Sequence, residues 1–301
     1  MARLRVVLVL VALLSGALTA SQGRQPLADI DLVEIDAAVV DARGRPIPGL
    51  AQDDFSIRED GKPVAISTFT EVSGPTPNDP DSARTIVLLL DDAGVPPTGT
   101  PSIQTIARAF LASASSIDDV AVVRLHERAD EPFGDRITGE SRVQGYRGGA
   151  SPVVSWSTAA EVLERMAGIS RLVAANASKR KVIVCVGSPF ICDVQEPLSS
   201  DPRRFFSGWT SAVVEAAKAN VAVYALIPGR APLRTGGLPD STGGEVLASG
   251  YDVGPAIDRI LRDAANFYVL GYWPVSAPRA VHRVDVKVSR HGARVHARRL
   301  R

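Results

Sequence analysis

The chain has 301 residues, with 34 Lys and Arg against 33 Asp and Glu, for a formal net charge of +1. That balance argues against a nucleic-acid binder, which usually carries a strongly basic face. With 45% hydrophobic and only 22% charged residues, the composition excludes an acidic disordered chain, and two cysteines exclude a disulfide-dense scaffold or a four-thiolate zinc site. The neutrality is uneven: residues 279–301 hold seven Arg and Lys287 against Asp285 alone, so a basic tail offsets an acidic body.

Arg3 and Arg5 precede an apolar run from Val6 to Leu14, followed by small residues from Ser15 to Ser21. This order reads as a secretory signal peptide over residues 1–22, cut between Thr19 and Gly23. The run is shorter than the ~20 apolar residues of a spanning helix, and no later run is longer, so no membrane span is expected in the mature chain. The expected location is therefore exported, periplasmic or extracellular; an uncleaved N-terminal anchor is the alternative.

From Asp31 to Val72 the pattern is β, and a first β segment is assigned to 29–72. Val33, Ile35, Ala37 and Val39 alternate with Glu34, Asp36 and Ala38, as in a half-buried strand. Asp41 to Gly44 is a turn. Phe55 and Ile57 alternate with Ser56 and Arg58, Asp60-Gly61 is a two-residue hairpin signal, and Val64, Ile66 and Thr68 form the returning strand. Residues 73–82 are all Ser, Gly, Pro, Thr, Asn or Asp, a linker by composition.

An α/β domain is assigned to 83–264. Apolar runs at Ile86–Leu90, Val120–Leu125, Val182–Val186 and Val221–Ile227 read as strands covered on both faces. Thr100-Pro101 opens a helix with the stripe Ile103, Ile106, Ala107 and Phe110, and Thr158 with Glu161 forms a capping box before a second. Further helices run through Trp209 to Ala217 and Pro255 to Ala264. Alternating strands and helices predict a mainly parallel sheet with helices on both faces.

The segment 265–301 is β again: Phe267 to Trp273 is aromatic-rich, Val284, Val286 and Val288 alternate with polar residues, and a Gly292 turn leads to Arg294–Ala297. The first β segment has 42 residues between Asp31 and Val72, close to the ~40-residue floor for an independent core. The C-terminal strands are therefore expected to pack with it, making the α/β domain an insertion in a discontinuous β-sandwich.

The stretch Val40 to Leu50, then Asp53-Asp54-Phe55 and Glu59-Asp60-Gly61-Lys62, resembles the opening of the von Willebrand factor type A (VWFA)-related proteins of the acidobacterial type. Arg180-Lys181, Ala219 to Tyr224, Thr242-Gly243-Gly244, Phe267 to Pro274, Val286-Lys287-Val288 and Ala297-Arg298-Arg299 follow in the same order. The resemblance covers nearly the whole mature chain. It implies a von Willebrand A-like, Rossmann-like sheet, an exported protein, and adhesion or protein–protein recognition in place of enzymatic activity. It also implies a divalent-ion site of the form Asp-x-Ser-x-Ser plus a Thr and a later Asp.

Asp91 matches the first ligand, but Ala93 and Val95 stand where the two Ser belong, and Gly187-Ser188 replaces the later Asp. Asp193 lies further along that loop, and no Thr matches the middle ligand. Asp92, Thr98 and Thr100 offer a rearranged set. The favoured reading is a degenerate site without metal or cofactor, Mg²⁺ at Asp91 being disfavoured, with Asp91 and Asp92 bonding backbone amides at the strand end.

Ser188 lacks the second Gly of a hydrolase elbow. His126 reads as a surface or satisfied residue, and His282, His291 and His296 as a solvated strand surface, with a metal site built from them as the less favoured alternative. Cys185 should point into the core as a small apolar residue; whether it pairs with Cys192 is a matter of geometry. The segment Pro189 to Arg204, with Asp193, Glu196, Asp201, Arg203 and Arg204, and the Asp92–Thr100 loop are the first places to seek a partner surface. The function expected is binding, to an unknown protein or cell-envelope component. The rivals are a metal-dependent or serine hydrolase using Asp91, Asp92 and Ser188, and a structural envelope protein with open sheet edges.

Overall fold

The computed structural model describes residues 31–74, 83–126, 136–149, 156–176, 180–188, 202–229, 237–276 and 281–301. The signal-peptide region, linker residues 75–82, and Cys192, Asp193, Glu196 and Asp201 lie outside the described residues. Strands and helices are numbered in chain order.

Both ends of the chain build two antiparallel sheets. β1 (Val33–Val40), β4 (Ile66–Ser73), β10 (Asn266–Tyr272) and β12 (Arg294–Ala297) form one, in the order β12-β1-β10-β4. β2 (Phe55–Glu59), β3 (Lys62–Val64) and β11 (Val284–Val288) form the other, in the order β11-β2-β3. Val33 lies opposite Tyr272 and Ala37 opposite both Tyr268 and Ala297, so the N-terminal strand sits between two C-terminal ones. The inner faces share a core of Ile35, Val39, Phe55, Ile57, Leu270 and Tyr272. The rings of Phe55, Phe69 and Tyr268 pack there with centroids 5.0 to 5.7 Å apart. The Tyr268 hydroxyl donates to the Ile47 carbonyl (2.8 Å) and accepts from the Leu50 amide (3.1 Å), fixing the crossing between β1 and β2.

Asp60 (φ 48°) and Gly61 (φ 79°) both adopt the positive φ of a tight hairpin turn, and Glu59 pairs with Lys62 across it. The returning strand is not continuous, however. β3 ends at Val64 and β4 begins at Ile66 in the other sheet. Pro63 suits the exposed edge that β3 occupies, since an edge strand needs no outward amide. β1 also departs from the half-buried expectation: every residue from Ile35 to Val40 is buried, because its second face lies against the α/β portion.

That portion is a five-stranded parallel sheet of β5 (Arg84–Leu90), β6 (Asp119–Arg124), β7 (Arg180–Val186), β8 (Val221–Ile227) and β9 (Val246–Ala248), ordered β6-β5-β7-β8-β9. Its helices are α1 (Thr100–Ser113), α2 (Arg136–Gly145), α3 (Trp156–Ala174), α4 (Pro202–Lys218), α5 (Gly237–Thr242) and α6 (Gly254–Ala265). The apolar strand runs divide with period two. Val87, Leu89, Ile183, Cys185, Val223 and Ala225 face α3, α4 and α5. Ile86, Leu88, Leu90, Val182, Val184 and Val186 face α1, α2 and α6. The chain is therefore a mixed α/β protein with a helix-flanked parallel sheet and an antiparallel module built from both termini. α3 begins at Trp156, so Thr158 lies inside the helix and not at the start expected for a capping box.

Buried charges occupy the seam between the two parts. Arg180 Nη1 donates to Asp36 Oδ2 (2.9 Å), with both side chains at most 4% exposed, and its guanidinium lies 4.9 Å from the Phe267 ring centroid. Arg298, partly buried at this seam, donates to the carbonyls of Ala217 and Glu34. Burial opposes its charge and lowers its pKa. The basic tail is thus used internally, in part toward the acidic β segment and in part toward α4 and α5, where Arg299 bonds Asp240 at 2.9 Å.

Glu59 is fully buried and receives both Arg301 Nε (2.9 Å) and Nη2 (2.8 Å). Burial alone would raise its pKa, but the Arg301 hydrogen bonds, with help from Ser276 and Tyr272, hold it below the ordinary 4.5. A carboxylate with a depressed folded pKa stabilises above its unfolded pKa and loses that contribution as pH falls through the folded one. Stability should therefore decline below about pH 4.5, with Glu59 adding up to about 1.4 kcal/mol per pH unit to the slope. Chemical denaturation from pH 6 to 3 should show a shallower acid limb in Glu59→Gln; an unchanged limb would remove this pair as a cause.

Candidate functional site at the strand ends

Along the chain, α1 connects β5 to β6 on one face of the parallel sheet, and α3 leads back to β7 on the other. The connections reverse between β5 and β7, and such a switch point leaves a crevice at the C-terminal strand ends where α/β sheets bind ligands. Asp91 follows β5 at this place, and Gly187-Ser188 follow β7.

Asp91 is 1% exposed. Its amide donates to the Val186 carbonyl (3.0 Å), continuing the ladder by one residue. Oδ1 accepts the amides of Ala93 (3.0 Å) and Gly94 (2.6 Å), and Oδ2 accepts the Ser188 amide (3.0 Å) and hydroxyl (2.7 Å). A carboxylate has about four acceptor positions, and all are occupied. The packing admits little else: a Cβ on Gly187 would stand 2.1 Å from Asp91 Cβ, and one on Gly94 would stand 2.5 Å from Ser188 Oγ. Tyr146, wholly buried, donates its hydroxyl to the Asp91 carbonyl. Burial, then the charges of Asp91 and Asp92, pushes that phenol far above its usual range.

Asp92 turns away from Asp91. Its Oδ1 accepts from the His126 amide (3.2 Å) and lies 3.0 Å from His126 Nδ1, on a side where the imidazole is 56% exposed. Thr100 Oγ1 accepts the Gly148 amide (2.9 Å), and Thr98 is exposed. Ala93 and Val95 pack into the apolar clusters on opposite faces of the sheet. A cation here would meet one carboxylate already saturated by four donors and no side-chain oxygen from positions 93 and 95. The set does not fit an octahedral Mg²⁺ site, which needs several free oxygens.

Asp91 and Ser188 are thus brought together, whereas His126 joins Asp92 instead of Ser188. Arg203 and Arg204 begin α4, and Arg204 Nη2 reaches Glu164 Oε1 at 3.3 Å on the surface. His291 is exposed as expected, but the other two tail histidines correct the expectation of a solvated surface. The His282 side chain is 9% exposed with Nδ1 2.8 Å from Asp60 Oδ2, and His296 is 14% exposed with Nδ1 3.3 Å from Asp263 Oδ2. Cys185 is buried as expected, but it is disulfide-bonded instead of free. Tyr146 escaped the sequence reading because α2 is polar and carries no clear apolar stripe.

No family model and no curated protein matches the sequence. Among solved structures, the chain is similar to the TFIIH p34 N-terminal domain at 14% identity and a TM-score of 0.35, over 61% of this chain and 99% of that one. It is also similar to the human COPII-coat protein Sec24c at 10% identity and a TM-score of 0.39, over 87% of this chain and 48% of that one. Likenesses this weak carry no argument, and the α/β architecture rests on the strand order and crossovers described above.

Proposed function

We propose that this is an exported, non-enzymatic binding protein whose von Willebrand A-like domain presents its strand-end loops to another protein or a cell-envelope component. The supporting observation is Asp91. Its carboxylate is spent on four internal donors that tie β5 to β7 at the switch point. This makes a rigid platform in which the Asp91 carboxylate has no acceptor position left for a metal ion or a substrate proton. Pro96, Pro97 and Thr98 stand exposed on that platform. A structural envelope role through open sheet edges has less support, since edge strands β3 and β4 carry Pro63 and Glu71, which hinder strand addition.

Affinity capture from the native envelope, followed by mass spectrometry, tests the reading. A Pro96→Glu/Thr98→Arg protein should lose the captured partner while keeping the wild-type melting temperature. Capture indifferent to those changes, or a hydrolytic turnover abolished by Ser188→Ala, would replace this function with a rival.

A further inference from the structure

Among the described residues, two groups of His and carboxylate side chains converge away from the strand ends. In the first, Glu59, Asp60 and His282, the oxygens are already engaged. Arg301 takes both Glu59 oxygens, and Asp60 accepts from Arg283 N at 3.0 Å and lies 2.8 Å from His282 Nδ1. The second differs. Glu245 precedes β9, Asp263 lies in the last turn of α6, and His296 lies in β12, with one ligand atom from each within 4.8 Å of the others. Asp263 is completely buried, yet its Oδ1 has no hydrogen-bond partner, and its Oδ2 has His296 Nδ1 at 3.3 Å. A buried carboxylate oxygen without a donor is costly, and a cation would relieve that cost.

We infer that Glu245, Asp263 and His296 form a divalent transition-metal site, distinct from the strand ends, that ties the C-terminal strand to the α/β portion. One imidazole and two carboxylates suit Zn²⁺ in a tetrahedral site whose fourth position is left to water. Imidazole disfavours Mg²⁺ and Ca²⁺, which prefer all-oxygen shells. Entry is open, because the side chains of Glu245 and His296 are 27% and 14% exposed. Arg259 competes for the site, with Nη2 2.6 Å from Glu245 Oε2. Metal binding displaces this guanidinium from one oxygen of the carboxylate.

Calorimetric titration of the mature chain with Zn²⁺, after chelator treatment and desalting, decides the matter. One equivalent should bind, with Mg²⁺ failing to compete, and Co²⁺ should give the visible absorption of a low-coordinate site. His296→Gln and Glu245→Gln should each weaken binding by at least about tenfold, since even outer-shell losses cost this much. Arg259→Gln, which releases Glu245, should tighten it, and His282→Gln and His126→Gln should leave it unchanged. Asp263→Asn sits in the core and risks misfolding, so the more exposed His296 carries the test. No saturable Zn²⁺ binding, binding indifferent to His296→Gln, binding lost in His282→Gln, or unchanged affinity in Arg259→Gln would each overturn the three-ligand site.

Discussion

Arg180→Ala should destabilise the protein by about 3–5 kcal/mol, the cost typical of stranding one partner of a buried ion pair. Asp36 and Arg180 are 3% and 4% exposed and lie 144 positions apart, one on β1 and the other opening β7. Removing the guanidinium leaves the buried Asp36 carboxylate without its cation and also removes the charge above the Phe267 ring. Equilibrium urea unfolding gives the measurement. Replacing both partners by apolar residues, as in Asp36→Leu/Arg180→Met, should recover most of the loss, because a buried pair contributes little net stability over well-packed apolar side chains. A single variant within about 1 kcal/mol of wild type would indicate that water or a rearranged neighbour solvates Asp36.

The second large effect is expected at Asp91. Asp91→Ala leaves the amides of Ala93, Gly94 and Ser188 and the Ser188 hydroxyl without their acceptor. Hydrogen bonds to charged groups contribute about 1.5–3 kcal/mol each, and losing four that share one carboxylate should cost about 3 kcal/mol or more after local relaxation. Asp91→Asn keeps the size but turns one oxygen into a donor facing other donors, so it should rescue only part. Thermal denaturation with and without Mg²⁺ separates a structural staple from a metal ligand. A staple predicts a large drop in the variant and no Mg²⁺ response in wild type. A wild-type melting temperature that rises with Mg²⁺ and ceases to do so in Asp91→Ala would make Asp91 a ligand.

Much of the site was legible because strand ends in an α/β sheet follow from apolar runs. Leu90 closes one run and Val186 another, so Asp91 and Ser188 had to emerge near the same edge once the two strands were neighbours. That Asp91 is saturated by Ser188 was not legible. It depends on the crossover placing β7 beside β5, and on Gly187 and Gly94 leaving no room between the loops. The burial of His282 and His296 was equally hidden. Alternation in a strand says that one face is buried; it does not say which acid from a distant element will meet it.

By itself the sequence determined the order of segments, the Asp60-Gly61 hairpin, four of the five parallel strands, and the need for a short β segment to recruit the chain's other end. Each of these rests on local periodicity, turn chemistry or the size of core a given length can bury. Tertiary structure alone decided the break between β3 and β4, the short strand β9, helices α2 and α5, the second buried face of β1 and the Asp36–Arg180 seam. The physical reason is common to all of them. Their stabilising partners lie in other elements, so no pattern within a few turns or strand repeats records them. The charge count shows the same division: composition reported near-neutrality, whereas the fold buries Arg180 and partly buries Arg298 and Arg301 against carboxylates and carbonyls from distant elements.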